Sequence, residues 1–252
     1  MLTNYHTHHH FCRHACGNVE DYVKKAIAEK YDIIGISDHA PMPKYYNDRM
    51  LMNELAIYLE EINQCQKKYH DKIQIKAGLE IEYYDEFIDY YQELKRKLDY
   101  MILATHDYIY KGNKHCGFFI RNDEMLAGYF ETLIKGIKSH LFAFAAHPDL
   151  FAFSYHFNDL AEEYTRKLAE VCLEEDFILE FNANGFRRGK TNIAGKYRYP
   201  YPYKPFWDII KEYQVKVIVN SDCHDPKLLN DNFEKYAREI ALSSGLNVVT
   251  TI

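Results

Sequence analysis

The stretch "VKVIVNSDCH", residues 215–224, decides how this chain is read. Val215–Asn220 is a short β-branched run of the kind that forms a buried strand. At its C-terminal end stand Ser221, Asp222, Cys223 and His224. The same arrangement recurs six times upstream. Leu2–His6 runs on to His8, and Asp32–Ser37 runs into Asp38 and His39. Ile73–Glu80 is followed by Glu82, and Tyr100–Thr105 by His106 and Asp107. Leu141–Ala146 leads to His147 and Asp149, and Phe177–Phe181 carries Glu180 and stops at Asn182. Each predicted strand delivers His, Asp or Glu at its C-terminal end.

Between these strands lie stretches with helical apolar spacing, among them Val19–Lys30, Asn53–Tyr69, Tyr84–Leu98, Asp123–Ser139 and Asp159–Glu174. Strand and helix in alternation predict an α/β protein with a parallel sheet and helices outside it. No Gly/Ser-rich linker divides the chain, so one domain over residues 1–252 is expected. An open doubly wound sheet would spread the polar strand ends along an edge. A closed barrel gathers them into one cup at its C-terminal mouth. The expectation is a distorted, TIM-like barrel of seven βα units with its site at that mouth.

Composition narrows the function. The net charge of -6 argues against a general nucleic-acid binder, which needs a basic surface. No apolar run approaches the roughly 20 residues that cross a bilayer. Met1 to Asn4 show neither the basic nor the apolar part of a secretory signal. The six cysteines are scattered, which predicts reduced thiols in a cytoplasmic protein. Cys12 and Cys16 are close, but no second cysteine pair answers them, so a thiolate metal site is not the expectation.

Of 13 histidines, five fall within residues 4–14. An affinity tag is uninterrupted, whereas this run is woven into a strand. His6 and His8, at i and i+2, share a face and can grip one ion. His9 and His10 alternate away or lie in the loop. His70, His115, His140 and His156 read as surface or satisfied core residues. The remaining strand-end set is His6, His8, His14, His39, Glu80, His106, His147, Asp222 and His224. Imidazole with carboxylate suits zinc, iron or manganese, and nine ligands are enough for two or three divalent ions.

These residues resemble a known family. "HTH" at 6–8, "SDHAP" at 37–41, "GLEIEY" at 78–83, "THD" at 105–107, "AHPD" at 146–149 and "NSDCH" at 220–224 stand in the order found in the polymerase-and-histidinol-phosphatase (PHP) superfamily. The resemblance spans nearly the whole chain and implies a distorted (βα)7 barrel. It implies three metal positions: one with His6, His8, Glu80 and Asp222, a second sharing Glu80 and adding His106 and His147, a third with His14, His39 and His224. The chain looks most like the stand-alone histidinol-phosphatases, which cleave L-histidinol phosphate in histidine biosynthesis. "NANGFRRGK" and "YPYP", within residues 182–202, also look like that branch.

The reaction so implied is attack on a phosphomonoester by a hydroxide bridging two metals. Phosphate also calls for arginine, whose planar fork meets it bidentately. Arg187 or Arg188 is the expected phosphate ligand, with Lys190 behind; the rival reading is a solvated basic turn. Arg121 is a weaker candidate. Asp159 reads either as the general acid for the leaving alkoxide or as the N-cap of the helix starting near Leu160, and the cap is favoured. Glu82, Asp107 and the Tyr197–Tyr203 cluster are candidates for the substrate's cationic groups. Other readings are a phosphodiesterase or nucleotide phosphatase on the same cup, an amidohydrolase or deacetylase, and a metal-binding protein without turnover. No lysine stands at a strand end, which disfavours the amidohydrolase.

Overall fold

The computed structural model describes residues 1–44 and 49–252. The first half runs β1 (Thr3–Asn4), α1 (Val19–Ala28), β2 (Ile33–Ile36), α2 (Leu55–Lys68), β3 (Gln74–Glu82), α3 (Ile88–Lys95) and β4 (Tyr100–Ala104). A hairpin of β5 (Asp107–Tyr110) and β6 (Asn113–Cys116) leads to α4 (Asp123–Lys138), β7 (Phe144–Ala145), α5 (Asp159–Glu174) and β8 (Ile178–Asn182). The one-turn α6 (Asn184–Arg187) precedes a second hairpin, β9 (Thr191–Ile193) and β10 (Lys196–Arg198). Last come α7 (Lys204–Glu212), β11 (Lys216–Asn220), α8 (Asn232–Ser243) and β12 (Asn247–Val249).

Eight strands form one parallel sheet in the order β1-β2-β3-β4-β7-β8-β11-β12. The sheet curls until the chain beyond β1 meets the chain beyond β11. There Thr7 bridges Cys223, His8 N donates to Cys223 O at 3.0 Å, and Asp222 N donates to His6 O at 2.9 Å. The seven predicted strands are thus the staves of a distorted barrel. β12 is an eighth that the sequence pattern did not reveal; it pairs with the first half of β11.

Four of the helices, α1, α4, α5 and α8, start at polar side-chain caps. Asn18 and Asp21 form a reciprocal capping box on α1, Asn122 caps α4, and Asp231 caps α8. Each cap contributes about 1 kcal/mol. α1 buries Val19, Tyr22, Val23 and Ala26, the i, i+3, i+4, i+7 stripe of a helix lying on a sheet.

The barrel floor fixes the height of the site. Tyr5, Ile33, Tyr100, Ile102, Phe144, Ile178 and Ile218 pack together as a separate cluster. The Tyr100 hydroxyl donates to Tyr5 O at 2.6 Å, and its ring lies edge-on to Tyr5 and stacked on Phe144. Two glycines make room for that ring. A Cβ on Gly35 would come within 2.1 Å of Tyr100 Oη, and one on Gly78 within 2.3 Å of Tyr100 Cζ. Along β3, residues i+2 and i+4 from Gly78 point the same way, which aims Glu80 and Glu82 into the barrel above the tyrosine. Below this level the lumen is plugged, and above it the lumen is polar.

All six cysteines are free thiols. Among the described residues, no helix is long and apolar enough to cross a membrane.

Candidate metal centre

Glu80 stands at the middle of the cup, fully buried. Its Oε1 lies 3.1 Å from His147 Nε2, 3.4 Å from His6 Nε2 and 3.5 Å from His106 Nε2. Its Oε2 lies 2.9 Å from His39 Nδ1 and 3.4 Å from His8 Nε2. Asp222 Oδ1 closes the opposite side, 3.2 Å from His8 Nε2 and 3.7 Å from both His6 Nε2 and His224 Nδ1. The rings of His14 and His224 stack at 5.1 Å on the rim, and His14 lies 5.2 Å from His39. All nine strand-end candidates therefore converge. Seven of them line a cavity of about 630 Å³, with His6 and His8 beneath it.

Buried carboxylates behind the imidazoles set their orientation. His6 Nδ1 lies 2.8 Å from Glu180 Oε1, and His106 Nδ1 lies 2.9 Å from Glu82 Oε1. A carboxylate on Nδ1 fixes the tautomer that presents an Nε2 lone pair, the outer arrangement of histidine metal sites. His9 Nδ1 reaches Asp38 Oδ2 at 2.7 Å, so His9 faces away from the cup and His10 is exposed. Asn182 and Asn184 donate to Asp222 Oδ2 at 3.0 and 3.2 Å. The roles of Asp38, Glu180 and Asn184 were not assigned from sequence. The alternation along each strand was the available signal, since Glu180 and Asn182 share the inward face with their strand's end.

Two of these positions carry unusual backbone. His147 has φ 29° and Asp222 φ 47°, in the left-handed region that side chains avoid. His147 N donates to Glu180 Oε2 at 3.1 Å and Asp222 N to His6 O, so the surrounding structure holds both turns in place.

The donor set fits divalent ions. His39 Nδ1 and Glu80 Oε2 are buried and only 2.9 Å apart, yet neither satisfies a hydrogen bond. Nε2 faces Nε2 at 3.0 Å between His6 and His8 and at 3.1 Å between His106 and His147. Lone-pair atoms crowded in this way need a shared positive centre. Without a metal, protons supply it. Burial alone would lower His6, but the carboxylates of Glu180, Asp222 and Glu80 hold it well above its ordinary range. Burial would lower His8 too, but the carboxylates of Asp222 and Asp38, 3.2 Å from its Nε2 and 3.4 Å from its Nδ1, and that of Glu80 raise it to about 9. Burial would raise Glu80, yet His106, His6 and His39 keep it well below its usual value. At the rim the sign reverses. Burial and the positive charge of His8 push His224 down to about 3. The cup is an anionic core that requires cations, ringed by imidazoles that remain neutral.

The basic residues separate. Arg188 lines the cavity, its Nε donating to the Tyr201 hydroxyl at 3.0 Å and its guanidinium 5.5 Å from the Phe118 ring centre. Arg187 is removed from candidacy. Its guanidinium grips Asp231 at 2.8 and 3.0 Å and Ser221 Oγ at 2.9 Å, tying α6 to the start of α8. Lys190 is also displaced: it is exposed, lies over Tyr199, and does not line the cavity. Arg121 lines a different depression with Asn122 and Tyr155. Both readings of Asp159 fail, because Asn158 accepts the capping bond from Ala161 N and Asp159 is an exposed first-turn residue away from the cup. Glu82 is occupied by Arg49 at 2.7 Å and by His106. Within the tyrosine cluster only Tyr201 lines the cavity, together with Asp107.

Fold and site define a class: a βα barrel with a histidine–carboxylate centre at its C-terminal mouth. The chain belongs to the PHP domain family, whose model matches residues 4–184. It is 24% identical over 264 residues to a probable histidinol-phosphatase of Deinococcus radiodurans, covering 98% of this chain and 95% of that one. It is 25% identical to the histidinol-phosphatase of Bacillus subtilis, over 87% and 92% of the two chains. The fold is shared with a putative histidinol phosphatase from Listeria monocytogenes, with TM-score 0.77, 22% identity and coverage of 93% and 99%. It is also shared with histidinol phosphate phosphatase from Lactococcus lactis, solved with zinc, L-histidinol and phosphate (TM-score 0.74, 18% identity, coverage of 98% and 95%).

Proposed function

We propose that this chain is a metal-dependent phosphomonoesterase that hydrolyses L-histidinol phosphate to L-histidinol and phosphate. One observation carries the reading: eight ligand-type side chains converge around Glu80 at a cavity whose wall also presents Arg188. The names of the curated relatives, and the zinc, histidinol and phosphate of the Lactococcus structure, support the choice of substrate. Two or three ions, zinc, manganese or iron, would be held by His6, His8, His14, His39, Glu80, His106, His147, Asp222 and His224. Such ions supply Lewis-acid polarisation of the phosphoryl group and an activated water.

The chain's own residues do the rest. Arg188, steadied by Tyr201, offers its remaining N–H groups to the phosphoryl oxygens. Glu180 and Glu82 hold His6 and His106 so that their Nε2 atoms stay aimed at the centre. Asp107, Phe118 and Tyr201 line the same cavity and suit the substrate's amino and imidazole groups, by charge and by ring stacking.

The test is phosphate release from a panel of L-histidinol phosphate, an aryl phosphate, a nucleoside monophosphate and an aryl phosphodiester, using protein reconstituted with manganese or zinc. Strong preference for histidinol phosphate is expected. Preference for the diester or the nucleotide would move the chain to another phosphoesterase branch of its family.

A further inference from the structure

The reading above leaves the departing group unserved. In-line displacement puts the departing oxygen opposite the attacking water. The water comes from the side of Glu80, so the departing oxygen faces the cavity wall away from the ligand set. Negative charge that develops there needs a fixed hydrogen-bond donor. Most donors of that wall are committed: Arg13 is paired with Glu54, Arg49 with Glu82, and Asn184 donates to Asp222. Asp107 and Phe118 have no side-chain donor to offer, and the Cys116 thiol is a weak one. Arg188 and Tyr201 remain.

The Tyr201 hydroxyl accepts from Arg188 Nε at 3.0 Å, and among the described residues nothing accepts its own hydrogen. That hydrogen is available to the cavity that Tyr201 lines. The residue is only 1% exposed, so little bulk water competes for it. The backbone on both sides is fastened. Arg198 donates to Tyr199 O at 2.9 Å, to Pro200 O at 3.0 Å and to Ala152 O at 2.6 Å. Asp149 Oδ2 accepts from Tyr203 N at 2.6 Å and from Trp207 Nε1 at 2.9 Å. Gly185 in α6 makes room for the Tyr201 carbonyl, which a Cβ there would meet at 2.0 Å. A donor fixed before the charge appears costs no reorganisation when it does.

We propose that the Tyr201 hydroxyl donates a hydrogen bond to the departing ester oxygen, which makes Tyr201 a catalytic residue for alkoxide leaving groups. The proposal rests on the phosphomonoesterase reading of the cup. Arg188 then meets the phosphoryl oxygens that substrate and phosphate product share, and Tyr201 serves the one oxygen that leaves. In the step, the water oxygen bonds to phosphorus and the bond from phosphorus to the ester oxygen breaks. The electron pair of that bond stays on the departing alkoxide. Tyr201 keeps its proton and hydrogen-bonds the alkoxide, while the proton released by the water reaches it through solvent.

The test compares wild type and Tyr201→Phe, both as the full chain reconstituted with manganese or zinc, on L-histidinol phosphate and on 4-nitrophenyl phosphate. The nitrophenolate is stable without a donor, whereas the alkoxide is not. In the variant, kcat for histidinol phosphate should fall about 100-fold or more. For the nitrophenyl ester it should fall by about tenfold or less, the loss of the bond that steadies Arg188. Inorganic phosphate has no leaving group, so its affinity, read by calorimetry, should weaken by no more than about tenfold. Equal losses of kcat on the two esters, or a phosphate affinity that falls as far as kcat for histidinol phosphate, would show that Tyr201 only holds Arg188 and would overturn the proposal. Should the variant fail to fold, a series of alkyl and aryl phosphates with the wild type decides. A shallow dependence of kcat on leaving-group basicity is expected, and a steep one would overturn the proposal. Release of no phosphate from either ester by the wild type would overturn the phosphatase reading itself, and this proposal with it.

Discussion

Replacing Glu180 by glutamine changes one atom and should have two separable effects. The buried carboxylate accepts four hydrogen bonds. His6 Nδ1 at 2.8 Å and Asn220 Nδ2 at 3.0 Å reach Oε1; His147 N at 3.1 Å and Asn182 Nδ2 at 2.8 Å reach Oε2. A glutamine amide must turn its NH₂ toward one of these pairs, so two buried donors lose their acceptor in either orientation. At about 1–3 kcal/mol for each stranded donor, stability should fall by roughly 2–6 kcal/mol. For a chain of this size, even the lower figure lowers Tm by about 4–8 °C. His6 also loses the carboxylate that fixes its ring, and metal affinity should drop about 10- to 100-fold. Calorimetry on stripped protein reads the first effect, and competition with a chelating indicator reads the second. A Glu180→Gln protein with wild-type Tm and wild-type metal affinity would refute the claim that this outer carboxylate organises the cup.

The two neighbouring arginines should behave oppositely. Arg188→Ala is expected to lower kcat/KM about 10- to 150-fold, by the loss of 1.5–3 kcal/mol of charged hydrogen bonding, with Tm unchanged. Arg187→Ala is expected to cost about 3–5 kcal/mol of stability by stranding Asp231, and steady-state kinetics plus thermal melts distinguish the two. Gly78→Ala should destabilise by about 1–3 kcal/mol or more, because the new methyl must displace the Tyr100 ring on the barrel floor; denaturant titration reads it. In metal-free protein, stability should fall on both sides of about pH 6.5, the unfolded histidine value. His224, held down to about 3, makes the unfolded state bind the extra proton below that pH, so stability is lost on acidification. His8, raised to about 9, binds its proton preferentially in the folded state, so that stabilisation is lost as pH rises through 9. Bound metal should remove the alkaline loss, and melts across pH with and without metal check this.

The barrel was legible because its strands are apolar runs that each end in a polar residue. What escaped detection has physical causes. Asn247–Val249 is a three-residue edge strand whose pairing depends on β11 already being in place. The hairpins Asp107–Cys116 and Thr191–Arg198 show no regular apolar alternation: each buries one side chain, Tyr108 and Ile193, and the rest of each is half-buried or exposed. Within the site, eight of the nine converging residues stand at or just beyond strand ends, where chain direction points them into the mouth; His14 comes later, after the 3-10 turn His10–Cys12. Arg187 and Arg188 could not be separated by sequence, since successive residues of one helical turn diverge by about 100°. Only the fold shows that one meets Asp231 and the other the cavity. Asp159 and Asn158 differ by a single position, and cap geometry chose Asn158.

The most direct test of the whole account is phosphate release from L-histidinol phosphate as divalent metal is returned stepwise to chelator-stripped protein, in the wild type and in Glu80→Gln. The cup as described predicts no turnover in stripped wild type, recovery as metal is added, and no recovery in Glu80→Gln, whose centre has lost its shared carboxylate. Full turnover by the stripped protein, or equal recovery in Glu80→Gln, would contradict it.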